Sequence, residues 1–287
     1  MSNTASNPTP LLTVVVPTRN ESRNIGACIA AVDPAANAGW LDMVVVDNAS
    51  TDGTADIARR CGVPVLLQGP ERSAQRNRGW REARGRYVCF LDADMRMPAE
   101  TLAEVRSRIS APDAPDALYI RERRVGRGWW TKVRDFERSF YDATCIDALR
   151  VIRRDLLERV GGYDEALNAF EDWDLDRRLL GAGATTALTD RALLHDEGEF
   201  SMRRHLRKKT QYSAYYDRYR EKWRNDAAVR RQLGIGYRFF GVFVERGKWR
   251  RALGHPLLMA SIHLERLLVA LCLVRRLLSR SKKPPRH

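Results

Sequence analysis

The chain of 287 residues is 44% hydrophobic and 30% charged, enough for one large domain or a domain with an appendage. Its five cysteines (Cys28, Cys61, Cys89, Cys145, Cys272) are scattered, odd in number and free of any CxxC pair, which speaks against a disulfide framework or zinc site and for a reducing compartment. The net charge of +14 is uneven: residues 196–287 hold 23 Lys and Arg against 8 Asp and Glu, and residues 1–195 sum to −1, so the tail region calls for an anionic partner, either nucleic acid or an anionic membrane surface.

The start, MSNTASNPTP, is polar and lacks the basic opening of a secretory signal. Residues 1–10 are expected to be a disordered tail and the protein to be cytoplasmic. Apolar runs at Leu11–Val16, Met43–Val46, Val63–Leu67 and Tyr87–Leu91 then read as strands. Each is continuous rather than alternating, as in a sheet covered on both faces. Between them, Glu21–Val32, Thr54–Arg60 and Ser73–Arg84 have helical spacing, with Asn20 and Asp52 as candidate caps and Gly62 and Gly85 as stops. This alternation predicts a doubly wound α/β layer, whose ligand lies at the carboxyl ends of the strands.

Polar residues gather at those ends. Strand one runs into Pro17-Thr18-Arg19-Asn20-Glu21, strand two into Asp47-Asn48-Ala49-Ser50, and strand four into Asp92-Ala93-Asp94. A pair of carboxylates one residue apart beside Phe90 and Leu91 is costly unless a cation lies between them. Carboxylate oxygens without a soft ligand nearby point to Mg²⁺ or Mn²⁺; the plainer alternative is a turn with exposed acids. Further on, a helix is expected near Ala99–Ile109, a strand near Ala117–Ile120, a returning strand over Thr144–Val151 and a helix over Arg154–Val160 stopped by Gly161-Gly162. Arg121–Asp142 is aromatic and basic, and FEDWDLDRRLLGAG (170–183) and LLHDEG (193–198) follow.

Five blocks in order, VVVPTRNES (14–22), VVVDNASTDGT (44–54), RSAQRNRGWREARGRYVCFLDAD (72–94), RRDLLERVGGYDE (153–165) and FEDWDLDRRL (170–179), resemble the inverting family-2 glycosyltransferases of GT-A fold over roughly residues 11–200. The resemblance implies a GT-A (Rossmann-like) doubly wound mixed sheet over 11–200, and residues 201–287 are expected to form a basic, aromatic-rich helical extension. It also implies transfer of a sugar from a nucleoside-diphosphate sugar, a UDP-sugar, to a hydroxyl acceptor. By the same likeness Asp47 would accept the N3–H of the base, with Asn48 beside it. Pro17, Thr18, Arg19 and Glu21 would line the nucleoside, with Arg76, Asn77 and Arg72 along the same pocket. Asp92 would face the ribose next to Ala93, Asp94 would bind the metal bridging the phosphates, and His195 would add a metal or diphosphate contact.

The catalytic base is expected at Asp172. Inversion needs one carboxylate to take the proton of the attacking hydroxyl, and a helix N-terminus favours an ionised acid. Spacing alone does not choose among Glu171, Asp172, Asp174 and Asp176; the family's ED pattern picks the second. The QxxRW element of processive members is missing after Gln211, so addition of one sugar is expected. A non-catalytic nucleotide-binding or scaffold protein is the competing class.

In the tail, basic residues interleave with tyrosines, but no nucleic-acid motif accompanies them, which makes nucleic acid the weaker partner. PLLMASIHLERLLVALCLV (256–274) carries His263, Glu265 and Arg266, so it reads as too interrupted to span a bilayer. Leu257, Ser261, Leu264, Leu268, Leu271 and Leu278 make a stripe followed by Arg275, Arg276, Arg280, Lys282, Lys283 and Arg286. The expected outcome is an amphipathic helix peripheral to the inner face of the membrane, with a lipid-linked acceptor such as a polyprenyl-borne glycan. Packing on its own domain or in a homodimer, with a soluble small-molecule acceptor, is the alternative.

Overall fold

Near-continuous apolar runs do become the centre of a sheet in the computed structural model of the chain, which describes residues 9–281 and side chains through Val274. The strands are β1 (Leu12–Thr18), β2 (Leu41–Asp47), β3 (Val65–Leu67), β4 (Tyr87–Phe90), β5 (Met95–Arg96), β6 (Ala117–Arg127), β7 (Leu149–Arg153) and β8 (Thr186–Glu199). Their order in the sheet is β3-β2-β1-β4-β7-β6-β8-β5. The β1 pairings with β2 and β4, and that of β2 with β3, are parallel; β4–β7, β6–β7 and β5–β8 are antiparallel. The mixed sheet is therefore as expected.

The helices, in chain order, are α1 (Ile25–Val32), α2 (Thr54–Arg60), α3 (Arg72–Glu82), α4 (Ala99–Ser110), α5 (Trp129–Arg138), α6 (Arg154–Val160), α7 (Glu171–Gly181), α8 (Met202–Tyr212), α9 (Tyr216–Lys222), α10 (Ala227–Leu233), α11 (Val242–Val244), α12 (Trp249–Gly254) and α13 (Pro256–Ser281). Every residue of β1 is buried because both of its faces are covered. Val14 and Val16 join the core cluster that holds Ile25 and Cys28 of α1. Val15 points the other way and meets α3 at Gly79, where a Cβ would come 2.2 Å from Val15 Cγ1. Only glycine lets α3 lie this close to the sheet.

Several boundaries differ from the sequence reading for local reasons. α1 starts at Ile25, because residues 21–24 form a turn in which the Glu21 carbonyl accepts from both Asn24 and Ile25. Asn20 does not cap it; its side chain accepts the Thr51 N–H at 2.9 Å instead. Asp52 does serve the next helix start, accepting the Thr54 N–H at 3.1 Å. β6 continues well past Ile120, and β5 and β8 had no counterpart in the reading. The expected tail over 1–10 lies outside the described residues except for Thr9 and Pro10. Pro10 is buried, and its carbonyl accepts the Arg86 N–H at 3.2 Å.

The described residues pack as two compact units, one of residues 9–123 and 147–196, the other of residues 124–146 and 197–281. The aromatic stretch from 124 to 146 thus belongs to the same unit as the basic extension. Within this second unit α13 lies against α5 and α8. By length and composition Pro256–Val274 is apolar enough to cross a membrane, with mean hydropathy 2.0, so its charged residues do not bar it on those grounds alone.

Candidate active site

Strand register assembles the first part of the site. Thr18 and Asp47 are direct partners in the parallel β1–β2 pair, at the carboxyl ends of both strands. The Thr18 hydroxyl donates to Asp47 Oδ1 at 2.9 Å, and the Ser50 hydroxyl to the same oxygen at 2.5 Å. The Ser50 N–H takes Oδ2 at 2.8 Å, so a buried carboxylate is held in one orientation by three donors. The loops that carry these groups are strained: Asn20 and Ala49 both have positive φ, 55° and 47°. Such strain costs on the order of 1–3 kcal/mol per residue and clusters where function fixes the backbone. Asn48 Nδ2 donates to the Pro70 carbonyl at 2.5 Å. Pro17 is buried, Arg19 is exposed and Glu21 is half-buried, with Asn24 Nδ2 donating to its Oε2 at 2.7 Å.

A single guanidinium ties the second part together. Arg76 of α3 is fully buried; its Nη2 donates to Asp92 Oδ1 at 3.0 Å and its Nη1 to Asp172 Oδ1 at 2.8 Å. Glu171 Oε1 is 3.5 Å away, and the Tyr163 ring lies under the guanidinium at 5.1 Å. Burial opposes charge on Asp92, yet Arg76 and Arg150 overcome it and hold the carboxyl well below the usual carboxylate range. Burial and the neighbouring Asp172 push Glu171 upward. Asp172 opens α7 just after Phe170, another residue with positive φ, 69°. Elsewhere in the acidic block Asp174 is fully buried and pairs with Arg178 at 2.9 Å. Asp176, also buried, accepts from the Tyr119 hydroxyl and the Leu149 N–H, each at 3.1 Å. Asp172 is the half-exposed acid that faces the Asp92 side.

Antiparallel pairing of β5 with β8 sets Met95 opposite His195, which brings His195 beside Asp94. His195 Nε2 lies 3.2 Å from Asp94 Oδ2, and Nδ1 lies 2.9 Å from Glu122 Oε1. Burial alone would lower the imidazole's pKa, but the bonds to Asp94 and Glu122 outweigh it and raise it to about 9. Arg150 completes the row, reaching Asp92 and Glu122 at 3.4 Å each. Asp92, Asp94, Glu122, Glu171 and Asp172 thus gather around Arg76, Arg150 and His195, with the charge of Arg72 acting on Asp92 and Glu171.

The residues fit a divalent ion. Asp94 Oδ2 and His195 Nε2, 3.2 Å apart, are the side-chain atoms that would hold the ion, with His195 giving up its proton on binding. Among the described residues no group of three or more His, Cys, Asp or Glu forms a ready-made metal cage. Its remaining positions would fall to phosphate oxygens and water, as is usual for Mg²⁺. Glu122, 2.9 Å from Nδ1, would then orient the ring, as outer partners of ligating histidines do.

The sequence-predicted residues do not all converge. Asn77 points into the interior, its Nδ2 donating to the Tyr163 carbonyl at 2.9 Å and to Glu165 at 2.7 Å, and its Oδ1 accepting from Tyr163 N–H and Trp80. It fastens α3 to the turn at Gly162 rather than lining the cleft. Arg72 is exposed at the start of α3, near enough for its charge to act on Asp92 and Glu171, and Ala93 is buried between the two acids. Glu122, Arg150 and Tyr163 escaped the sequence reading. The signal for Arg150 is a lone charge inside an apolar strand run, LRVI; Glu122, set among Arg121, Arg123 and Arg124, carries no such signal.

Residues 13–161 match the family described as "Glycosyl transferase family 2". The chain is 27% identical over 179 residues to a PGL/p-HBAD biosynthesis glycosyltransferase of Mycobacterium tuberculosis, covering 59% of this chain and 69% of that one. It also resembles the mannosyltransferase PcManGT from Pyrobaculum calidifontis solved with GDP-Man and Mn²⁺ (20% identity, TM-score 0.57, 92% of this chain and 87% of that chain). A third likeness is to S. aureus TarS 1–349 in complex with UDP-GlcNAc, at 19% identity and TM-score 0.52, over 91% of this chain and 89% of that chain. These likenesses establish the GT-A fold.

Proposed function

The chain belongs to glycosyl transferase family 2, and on that premise we propose that it is a non-processive enzyme moving one sugar, with inversion, from a UDP-sugar to a hydroxyl acceptor with the help of Mn²⁺ or Mg²⁺. The observation that carries this reading is Arg76, which joins Asp92 on the donor side to Asp172 at the mouth of α7 within one ion cluster. Solved relatives of the fold hold UDP-GlcNAc, or GDP-Man with Mn²⁺, and support a nucleotide-sugar donor here.

In this reading the buried Asp47 carboxylate, fixed by Thr18 and Ser50, accepts the N3–H of uracil. Pro17, Arg19, Glu21 and Asn48 flank the nucleoside, Arg72 faces the phosphates, and Asp92 beside Ala93 accepts from the ribose. Asp94 and His195 would hold the metal, which when bound neutralises charge on the departing diphosphate. Asp172 takes the proton of the acceptor hydroxyl as that oxygen attacks the anomeric carbon from the face opposite the diphosphate. Arg76 orients both carboxylates. Asn77 acts through α3, as a support. We place the reaction in the cytoplasm, which the five free cysteines suit, with a lipid-linked glycan as the acceptor.

Asp94→Ala removes the anionic metal ligand and leaves the Asp47 pocket intact. Calorimetric titration of UDP with and without Mn²⁺ is expected to show an Mn²⁺-dependent gain in affinity for the wild type and none for the variant. An equal gain in both would remove Asp94 from the metal site.

A further inference from the structure

α13 is inside out for a helix on a water-facing surface, where charge should point outward and apolar residues inward. Its described charged residues, Glu265 and Arg266, point into the second unit. Glu265 is buried, with Oε1 at 2.7 Å from His205 Nε2 of α8 and 3.8 Å from Arg134 Nη1 of α5. Arg266 donates to Glu137 of α5 at 2.6 Å and to the Tyr141 hydroxyl at 2.9 Å. Leu257, Leu264, Leu267, Leu271 and Val274 are instead each 51–72% exposed. Their spacing of three, four and seven residues puts them on one face over a rise of about 26 Å. Just before the helix, Trp249 and Leu253 are exposed too, with Arg250 stacked on the Trp249 ring at 5.4 Å.

We propose that this outward apolar face of α13 is a docking surface for an anionic phospholipid bilayer, on which the helix lies in the plane of the interface. The inference stands independently of the transferase reading, and deepens it only in bringing a lipid-borne acceptor within the protein's reach.

Three observations select this occupant. The first is charge. The face is preceded by Arg250 and Arg251 and followed in sequence by Arg275, Arg276 and Arg280, within a region of net charge +15. Anionic headgroups complement that flank. A second copy of the chain would set one such region against another, with like charges repelling across an apolar contact. Second, Trp129 and Trp249 are half-exposed, and tryptophan favours the boundary between hydrocarbon and water; the Trp129 indole donates to Ser261 of α13 at 3.1 Å. The third is the inward face itself. A spanning α13 would have to strip Glu265 and Arg266 from His205, Arg134 and Glu137 and carry both charges into hydrocarbon. In the plane of the interface those bonds stay intact.

The sequence stripe is thereby redrawn. Ser261 faces Trp129 and the Leu257 carbonyl, and Leu268 is half-buried. Leu267 and Val274 take their place on the outer face. Leu278, like the side chains of the last basic residues, lies outside the described side chains.

The test uses the full chain, vesicles of phosphatidylcholine with or without phosphatidylglycerol, and the triple variant L264E/L267E/L271E. All three positions are exposed, so the variant should keep the wild-type thermal transition, which serves as the folding control. The wild type is expected to sediment with phosphatidylglycerol vesicles at low salt, less so at high salt, and to be released by alkaline carbonate. The variant should partition more than roughly 100-fold more weakly, because three leucines leave the apolar layer and three acids face anionic lipid. A wild type left in the supernatant at low salt overturns the proposal. So does a variant that binds as well as the wild type. Resistance to carbonate would mean a spanning helix, and a concentration-dependent dimer abolished by the variant would mean a second copy covers the face; either result also overturns it.

Discussion

Arg76 donates to Asp172 at 2.8 Å and to Asp92 at 3.0 Å, so two acids that sequence separates by eighty positions are held by one planar fork. Sequence showed both acids but not the arginine's place between them. Asp92 and Asp94 were legible because two carboxylates at the end of an apolar run need a reason. Glu122 and Arg150 were not. Their meaning comes from three strands adjacent in space, β7, β6 and β8, which place Arg150, Glu122 and His195 side by side. At this scale the base assignment is the sharpest claim. Asp172→Asn keeps the volume and a contact for Arg76 but cannot take a proton. Donor affinity should stay near wild type while transfer falls by roughly 10²–10⁴, the usual contribution of a general base. Single-turnover transfer beside donor titration checks it; unchanged transfer would move the role to Glu171.

Element by element, the parallel strands β1 and β2 were legible, each a continuous apolar run buried on both faces. β5 was not, because two residues carry no pattern, and β8 mixes exposed and half-buried positions without a clean period. Their pairing nevertheless delivers His195 to Asp94, so part of the site was hidden with them. One helix, α7, carries both kinds of acid: Asp172 is half-exposed at the candidate site while Asp176, four residues on, is buried. Burial pushes Asp176 well above the ordinary carboxylate value, even though the Leu149 N–H and the Tyr119 hydroxyl pull the other way. An acid raised in the folded state stays protonated there while the unfolded chain ionises near 3.9. Stability therefore falls as pH rises from that value toward the folded pKa. Asp176→Asn abolishes this loss. The variant's melting temperature, relative to wild type, is expected to be higher at pH 7 than at pH 4, a difference read by calorimetry at both values. A gap that is constant or reversed would show that Asp176 is ionised in the fold.

On the scale of the whole chain, charge asymmetry set the tail apart from the body, yet composition did not reveal where the second unit begins. The compact units divide so that residues 124–146 join 197–281, a long-range association with no local signature. Nor did the helical stripe show which face of α13 would be outward, since that depends on Arg134, Glu137 and His205 from elsewhere in the chain. Family membership rests on residues 13–161, and the account built on it is that Asp47, the Asp92–Asp94 pair and Asp172 together turn over a nucleotide sugar. The direct measurement is UDP release from a panel of UDP-sugars by the full-length protein, with Mn²⁺ or with EDTA, in the presence of acceptor glycolipids and soluble hydroxyl acceptors. The account predicts UDP release from at least one sugar that requires both Mn²⁺ and acceptor and is nearly lost in Asp172→Asn. Release that is equal in EDTA, or absent for every UDP-sugar although the protein binds UDP, would contradict it.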